Sequence, residues 1–396
     1  MPAVELDEVQ RCMFVKQDVQ GDHFVAFPLP TLESIRIQGF RSIREMKLQL
    51  RPLNVLVGAN GAGKSNLISF FKLMNELMAG RLQQHVAATG RATANLHFGP
   101  KVTPQLEAEL QFETDTGTDT YRMRLFHAAG DALVFAEESV EFLQHTHSEP
   151  KVISLGAGHQ ETLVGDKAEE GEPTAKTLRY LLNRCRVFHF HDTSSTARVR
   201  QYCYAGDDRW LMPDAANLAA ILFRLQSDNE AVYHRIVGTI RQVAPFFDDF
   251  DFERTGVNDR DVILNWRHSR SDLVFGPHQL SDGTLRAICL ICLLMQPEAE
   301  LPHVIVVDEP ELGLHPYAMN VVASLFQSAS RHSKIIVSTQ SSSFLDNFDP
   351  EDIVVVERDG EASTFVRPDA EKLSAWLEEY SLGEVWQKNV IGGGPH

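Results

Sequence analysis

The chain has 396 residues with 37 Lys plus Arg against 54 Asp plus Glu, a formal charge of −17 at pH 7. With 43% hydrophobic and 23% charged residues it lies outside the low-hydropathy, high-charge regime, so a disordered or fibrous protein is excluded. So acidic a balance argues against general neutralisation of nucleic-acid phosphates, although it leaves room for a local basic groove.

The length corresponds to two or three domain-equivalents of roughly 150 residues. The longest apolar run, Ala287 to Met295, is nine residues, about half of what a bilayer requires. No signal pattern opens the chain, and the five cysteines are scattered, so a cytoplasmic protein without membrane insertion is expected. Cys289 and Cys292 form a CxxC inside that apolar run and read as buried helix residues, because no second pair completes a zinc site.

In chain order, Phe24–Phe27 reads as a strand that stops at Pro28-Leu-Pro30. Ser34-Ile-Arg-Ile, Met46-Lys-Leu-Gln-Leu and Leu53-Asn-Val-Leu-Val read as three more, the last of them buried. A glycine-rich loop and a helix from Lys64 to about Met78 follow. Gln105–Phe112, Thr120–Phe126 and Leu133–Phe142 are expected to form an antiparallel set. Residues 148–175, rich in glycine, proline and acid, read as a surface loop or disordered excursion. Helices are then expected at Ala175–Asn183, Ala215–Leu225, Ala231–Val243, Leu280–Met295 and His315–Ser330. Strands are expected at Val187–Phe190, Val304–Val307, Ile335–Ser338 and Ile353–Glu357.

Gly58-Ala59-Asn60-Gly61-Ala62-Gly63-Lys64-Ser65, followed by Asn66, satisfies the GxxxxGK[ST] pattern between a strand and a helix. Its glycines allow successive backbone N–H groups to face one concavity, to which the helix N-terminus adds positive potential. Lys64 would contact the β and γ phosphates, and the Ser65 hydroxyl would ligate Mg²⁺. Val304-Ile-Val-Val-Asp308-Glu309 ends an apolar strand in two carboxylates. Ligands bind at the carboxyl ends of such strands, so Asp308 falls beside the phosphate loop if the two strands are neighbours. Asp308 is then the expected Mg²⁺ holder, and Glu309 the group that orients or deprotonates the attacking water.

Three further segments complete a pattern: Leu280-Ser281-Asp282-Gly283-Thr284 before a helix, Glu311-Leu-Gly-Leu-His315-Pro after the acidic pair, and Ile335-Ile-Val-Ser-Thr-Gln340 as a strand. With Ser34-Ile-Arg-Ile-Gln-Gly-Phe-Arg41-Ser and the closing Ser381-Leu-Gly-Glu-Val-Trp stretch, residues 32–392 resemble the ATP-binding-cassette ATPases of the RecF and structural-maintenance-of-chromosomes (SMC) type. The likeness is greatest to the compact bacterial predicted AAA ATPases that lack coiled-coil arms. The resemblance implies an α/β P-loop head with an antiparallel β subdomain and a helical insert, divided as residues 1–147, 148–275 and 276–396. It also implies an ATP-sandwich homodimer in which Ser281, Asp282 and Gly283 meet the nucleotide of the other subunit. Arg41 is by the same resemblance a nucleotide contact, and His315 belongs to the loop that crosses the dimer interface. Gln340 stands where most relatives carry a γ-phosphate-sensing histidine, so slow hydrolysis is implied. The glutamine that usually meets Mg²⁺ remains open among Gln105, Gln111, Gln144 and Gln160.

The stretch containing Arg179, Arg184, Arg186, Arg198, Arg200 and Arg209 interleaves aromatic residues. It reads either as a nucleic-acid groove or as a helical lid whose arginines pair with acids such as Asp192, Asp207 and Asp208. His189 and His191 share a strand face but have no further ligand at metal spacing. The expected function is Mg²⁺-dependent ATP hydrolysis by a homodimer that switches a separately encoded effector, as in a phage-defence pair. The alternatives are a RecF-like DNA-binding repair ATPase and a slowly hydrolysing or non-hydrolysing ATP-stabilised scaffold.

Overall fold

The computed structural model describes residues 30–252 and 260–394, so the strand expected at Phe24–Phe27 lies outside the described residues. In chain order the strands are β1 (Thr31–Phe40), β2 (Ile43–Gln49), β3 (Leu53–Val57), β4 (Gln105–Glu113), β5 (Gly117–Ala128), β6 (Ala132–Gln144), β7 (Lys151–Gly156) and β8 (Cys185–Phe188). Five short ones follow, β9 (Cys203–Tyr204), β10 (Phe247–Phe250), β11 (Asp261–Val262), β12 (Trp266–His268) and β13 (Val274–Phe275). The last are β14 (Val304–Asp308), β15 (Lys334–Thr339), β16 (Ile353–Asp359) and β17 (Ala362–Val366). The chain divides into two compact units, Met1–Leu50 with Lys72–Cys185, and Arg51–Phe71 with Arg186–His396.

The first unit is built on a six-stranded antiparallel sheet in the order β2-β1-β4-β5-β6-β7. Its strands alternate as a sheet with one buried face requires: in β4, Leu106, Ala108, Leu110 and Phe112 are buried while Glu107, Glu109 and Gln111 are half-exposed. The other face carries cross-strand ion pairs, among them Arg122 with Glu109 at 3.1 Å and with Glu141 at 3.3 Å.

Residues 148–175 are not a loop. They form the edge strand β7, the helix Val164–Glu169 and the start of the helix Pro173–Asn183. The segment is held by polar contacts that its composition does not advertise. Glu138 on β6 is fully buried and accepts hydrogen bonds from Tyr121 Oη (2.7 Å), Leu163 N (3.0 Å) and Thr162 Oγ1 (2.5 Å), with His159 Nε2 at 3.0 Å. Glu161 accepts from Leu82 N and Gln83 N at 2.7 and 3.0 Å, where the helix Leu82–Ala88 starts.

The second unit holds the other six-stranded sheet, in the order β17-β16-β3-β15-β14-β8. Strands β16, β3, β15 and β14 are parallel, and β17 runs antiparallel to β16. Their near-continuous apolar sequences suit strands covered on both faces. β3 and β14 are not neighbours, because β15 lies between them, with Val337 opposite both Val55 and Val307. The helices Leu218–Asp228, Glu230–Val243, Asp282–Leu294 and Pro316–Ala329 contribute to one apolar core with β3, β14 and β15. Cys289 and Cys292 are buried in it as free thiols, and burial pushes the Cys289 thiol up to about 12. Among the described residues no helix is long and apolar enough to cross a membrane.

In the antiparallel sheet, Asp119 on β5 is 3% exposed, and burial pushes its carboxyl up to about 7 from 3.8 despite a hydrogen bond with Thr114. Its ionisation therefore opposes folding. The cost is absent below 3.8, grows across the window from 3.8 to about 7 and is complete above it. Asp119→Asn is expected to raise the thermal midpoint by several degrees at about pH 8.5 and much less at about pH 4.5, each pKa unit being worth about 1.4 kcal/mol. Melts at the two pH values check this, and equal gains at both would refute it.

Candidate nucleotide site

The phosphate loop leaves the sheet at the carboxyl end of β3, and the helix Lys64–Met78 begins on its last two residues. Gly61 and Gly63 take φ of +79° and +116°, left-handed values that favour glycine. Gly58 is glycine for a different reason: a Cβ there would lie 2.2 Å from the Val356 carbonyl oxygen on β16. The loop is backed further by Ser363 on β17, whose hydroxyl donates to Ala62 O at 2.5 Å. Asn60, Gly61 and Ser65 are exposed, Ala59, Gly63 and Asn66 half-buried, and Ala62 buried.

Lys64 is 4% exposed and its Nζ donates to Gly58 O at 2.5 Å and to Ala59 O at 3.2 Å. Burial pulls its pKa below the ordinary lysine value, against the opposing attraction of Glu309, Asp308 and Glu311 in that order. The ammonium and the carboxylates that end β14 therefore belong to one electrostatic cluster. Asp308 accepts a hydrogen bond from the Ser338 hydroxyl on β15, and its carbonyl accepts from His191 Nε2 at 2.8 Å. Glu309 has φ of +42°, a left-handed backbone rarely taken by a glutamate, and its N–H donates to Ser338 O at 3.0 Å. Gln340 Nε2 donates to Glu309 Oε1.

Glu311 was not singled out from the sequence. Its Oε1 accepts from Thr339 Oγ1 at 2.5 Å and from Gln340 N at 3.3 Å, and burial raises its pKa. Three carboxylates at and just beyond the end of β14 thus act on the lysine that follows β3, and Gln340, just after β15, bonds to two of them. Ser65 and Asp308 supply a hydroxyl and a carboxylate, the hard oxygen donors that Mg²⁺ takes, so the donor set fits that ion.

The segment Leu280–Thr284 lies in the same compact unit. Ser281 caps the helix Asp282–Leu294, its hydroxyl accepting from Thr284 N at 3.2 Å. Asp282 is bound by Arg200 at 2.9 Å, and Gly283 is pressed against the loop after the acidic pair, where a Cβ would meet Gly313 O at 2.2 Å. His315 caps the helix Pro316–Ala329, its Nδ1 accepting from Tyr317 N at 3.3 Å.

Arg41 and the four candidate glutamines belong to the antiparallel unit. There Arg41 Nε and Nη2 donate to Asn95 Oδ1 at 3.3 and 3.2 Å, Gln105 binds Glu107, and Gln111 binds Ser34 and Glu109. Gln144 ends β6, and the Gln160 carbonyl accepts from Gln83. None of the four is singled out by its contacts.

In the arginine-rich stretch, Arg179 pairs with Glu169, Arg198 with Asp214, and Arg209 lies over Trp210. These acids differ from the expected Asp192, Asp207 and Asp208. Asp192 instead accepts from Ser194, and the Asp208 carbonyl accepts from Arg224. Phe188 and Phe190 are buried, whereas Tyr202, Tyr204 and Trp210 are exposed. Among the described residues no group of three or more His, Cys, Asp or Glu could hold a metal ion, at His189 and His191 or elsewhere.

The profile of the family described as "AAA domain, putative AbiEii toxin, Type IV TA system" matches residues 53–346, and the chain belongs to that family. The chain is similar to the Smc head bound to the C-winged helix domain of ScpA, at 16% identity over 87% of this chain and 99% of that one, with a TM-score of 0.57. It is also similar to the Smc head domain with an extended coiled coil from Pyrococcus furiosus, bound to the C-terminal domain of ScpA. There the identity is 16% over 89% of this chain and 99% of that one, with a TM-score of 0.55. No curated protein sequence matched. The expected α/β P-loop head of the ATP-binding-cassette type, with its antiparallel sheet, is the fold observed.

Gly58 and Gly61 make separable demands. Gly58→Ala drives a methyl into the Val356 carbonyl, whereas Gly61→Ala meets open space and must only hold a left-handed backbone, a cost of about 1 kcal/mol. Gly58→Ala is expected to lose most of the rise in thermal midpoint that added ATP would give if the loop binds its phosphates, and Gly61→Ala to keep more of it. Melts with and without nucleotide check this; equal losses would count against the account.

Proposed function

From its membership of this AAA-domain family, we propose that the chain is a Mg²⁺-dependent ATPase whose subunits close on ATP as a sandwich homodimer, and that the closed form switches a separately encoded effector. The observation that carries the reading is the cluster of Lys64 with Asp308, Glu309 and Glu311, laid over the ends of β3, β14 and β15. Lys64 and the loop N–H groups bind the β and γ phosphates. Ser65 and Asp308 would hold Mg²⁺, which would supply positive charge to offset that of the phosphates. Glu309 orients the attacking water and takes its proton, with one carboxylate oxygen held by the Gln340 amide. Gln340 carries no charge and exchanges no proton, which fits slow turnover and a switch better than a fast cycle.

The in-trans part rests on Ser281, exposed at the start of the helix Asp282–Leu294, where its hydroxyl and the helix N-terminus suit a phosphate of the other subunit. Hydrolysis would remove the shared γ-phosphate and open the dimer. The family's description, a putative toxin of a type IV toxin–antitoxin system, supports a two-component setting such as phage defence. The Smc heads solved with ScpA support a head that docks a partner protein. A DNA-clamping role is the lesser reading, since Arg198 and Arg200 are already engaged with protein acids.

Glu309→Gln is expected to keep ATP binding, to slow phosphate release by about a hundredfold or more, and to accumulate dimer in ATP. Lys64→Ala is expected to abolish release altogether. Size exclusion with light scattering, together with a phosphate-release assay, checks both. A Glu309→Gln protein that stays monomeric in saturating ATP would sink the sandwich.

A further inference from the structure

The segment Phe190–Arg200, which the sequence leaves open between lid and nucleic-acid surface, is fastened to both chemical motifs of its unit. Arg200 is 4% exposed and surrounded by protein acceptors. Its Nε donates to Thr193 O at 2.9 Å, Nη1 to Pro277 O and to Leu280 O (3.2 Å), and Nη2 to Asp282 Oδ1 at 2.9 Å. Leu280 and Asp282 are signature residues, so this arginine holds the signature segment against the Phe190–Arg200 strap.

Arg286 lies about one turn into the signature helix and reaches back. Nε donates to Phe190 O at 3.1 Å, Nη2 to His191 O at 2.8 Å, and Nη1 to Leu312 O at 2.9 Å in the loop after the acidic pair. His191 completes the circuit through its hydrogen bond to the Asp308 carbonyl. The contact of Gly283 with Gly313 O joins the signature helix and the same loop a second time. A planar guanidinium with donors fixed in a fork can span three carbonyls from two chain segments, which a lysine ammonium cannot do with the same geometry.

We infer that Arg286 is a positioning residue for hydrolysis: with Arg200 and His191 it couples the signature segment to the acidic pair of the same subunit. This rests on the sandwich reading, in which a subunit's signature serves its partner's nucleotide while its acidic pair serves its own. Closure of the signature on the partner then sets the backbone that carries Asp308 and Glu309, and the two composite sites are mechanically linked.

Arg286 is half-buried and His191 exposed, so both tolerate substitution better than Arg200. Arg286→Gln is expected to lower kcat by about ten- to a hundredfold, the usual cost of a reacting group displaced by about 1 Å. KM and the thermal midpoint are expected to stay close to wild type, with partial rescue in Arg286→Lys. His191→Ala is expected to lower kcat in the same direction. Steady-state kinetics with ATP, thermal melts and light scattering of Glu309→Gln with Arg286 intact form the test. If Glu309→Gln dimerises on ATP while Arg286→Gln keeps its kcat, or loses it only in step with KM and stability, the coupling is overturned and the sandwich stands. If Glu309→Gln stays monomeric, the sandwich reading fails and takes the coupling with it.

Discussion

Strand β15 hydrogen-bonds to β3 along one edge and to β14 along the other, and that double pairing sets the geometry of the candidate nucleotide site. Thr339 stands opposite Val57 and Ser338 opposite Asp308, so three strands end at nearly one level. The residues that follow those ends, Gly58, Glu309 and Gln340, leave the sheet together. A parallel ladder is evenly spaced along its length, and a one-residue slip would turn every side chain to the opposite face. The Ser338 hydroxyl would then lose Asp308, and Gln340 would lose Glu309. The buried apolar faces of β3, β14 and β15 hold the register, and the chemistry inherits it.

The charges at that edge are costly taken singly and tolerable together. Burial depresses the basicity of Lys64, and the three carboxylates oppose this. Glu311 loses hydration in turn, and hydrogen bonds from Thr339 and from the Gln340 backbone offset part of the loss. Glu309 sits on a left-handed backbone that a glutamate adopts only where its surroundings impose it. Those surroundings are identifiable: its N–H is bound to Ser338 O, and its side chain to the Gln340 amide. Gln340 thus ties the two acids together, because its amide is bonded to Glu309 and its own backbone is anchored by Glu311.

Much of the architecture was legible from periodicity. The alternation in Gln105–Phe112 and the apolar run Val304–Val307 are local signals, and they became β4 and β14. Residues 148–175 were misread because β7 is a short, largely exposed edge strand whose place is determined by pairing with β6. The condition that Asp308 should lie on a strand next to the phosphate loop was also not met, since β15 intervenes. In the arginine-rich stretch the chosen acids were sequence neighbours, whereas Arg200 found Asp282, distant in the chain. Arg286 was invisible as a functional candidate, and His191 was weighed only as a metal ligand, because the partners that join them to the site are backbone carbonyls, which every residue possesses.

The sequence by itself determined the phosphate loop, the acidic strand end, the capped signature helix and the α/β class. Each depends on properties local to a few residues: glycine torsions, a helix N-terminus, a hydroxyl cap, an apolar run. Only the tertiary structure decided that Ser338 and Gln340 would hold the acidic pair, that Glu311 would join it, and that Arg200 and Arg286 would bind the signature to the loop beyond it. Those contacts connect positions tens of residues apart, and their partners are chosen by strand order and register rather than by residue type.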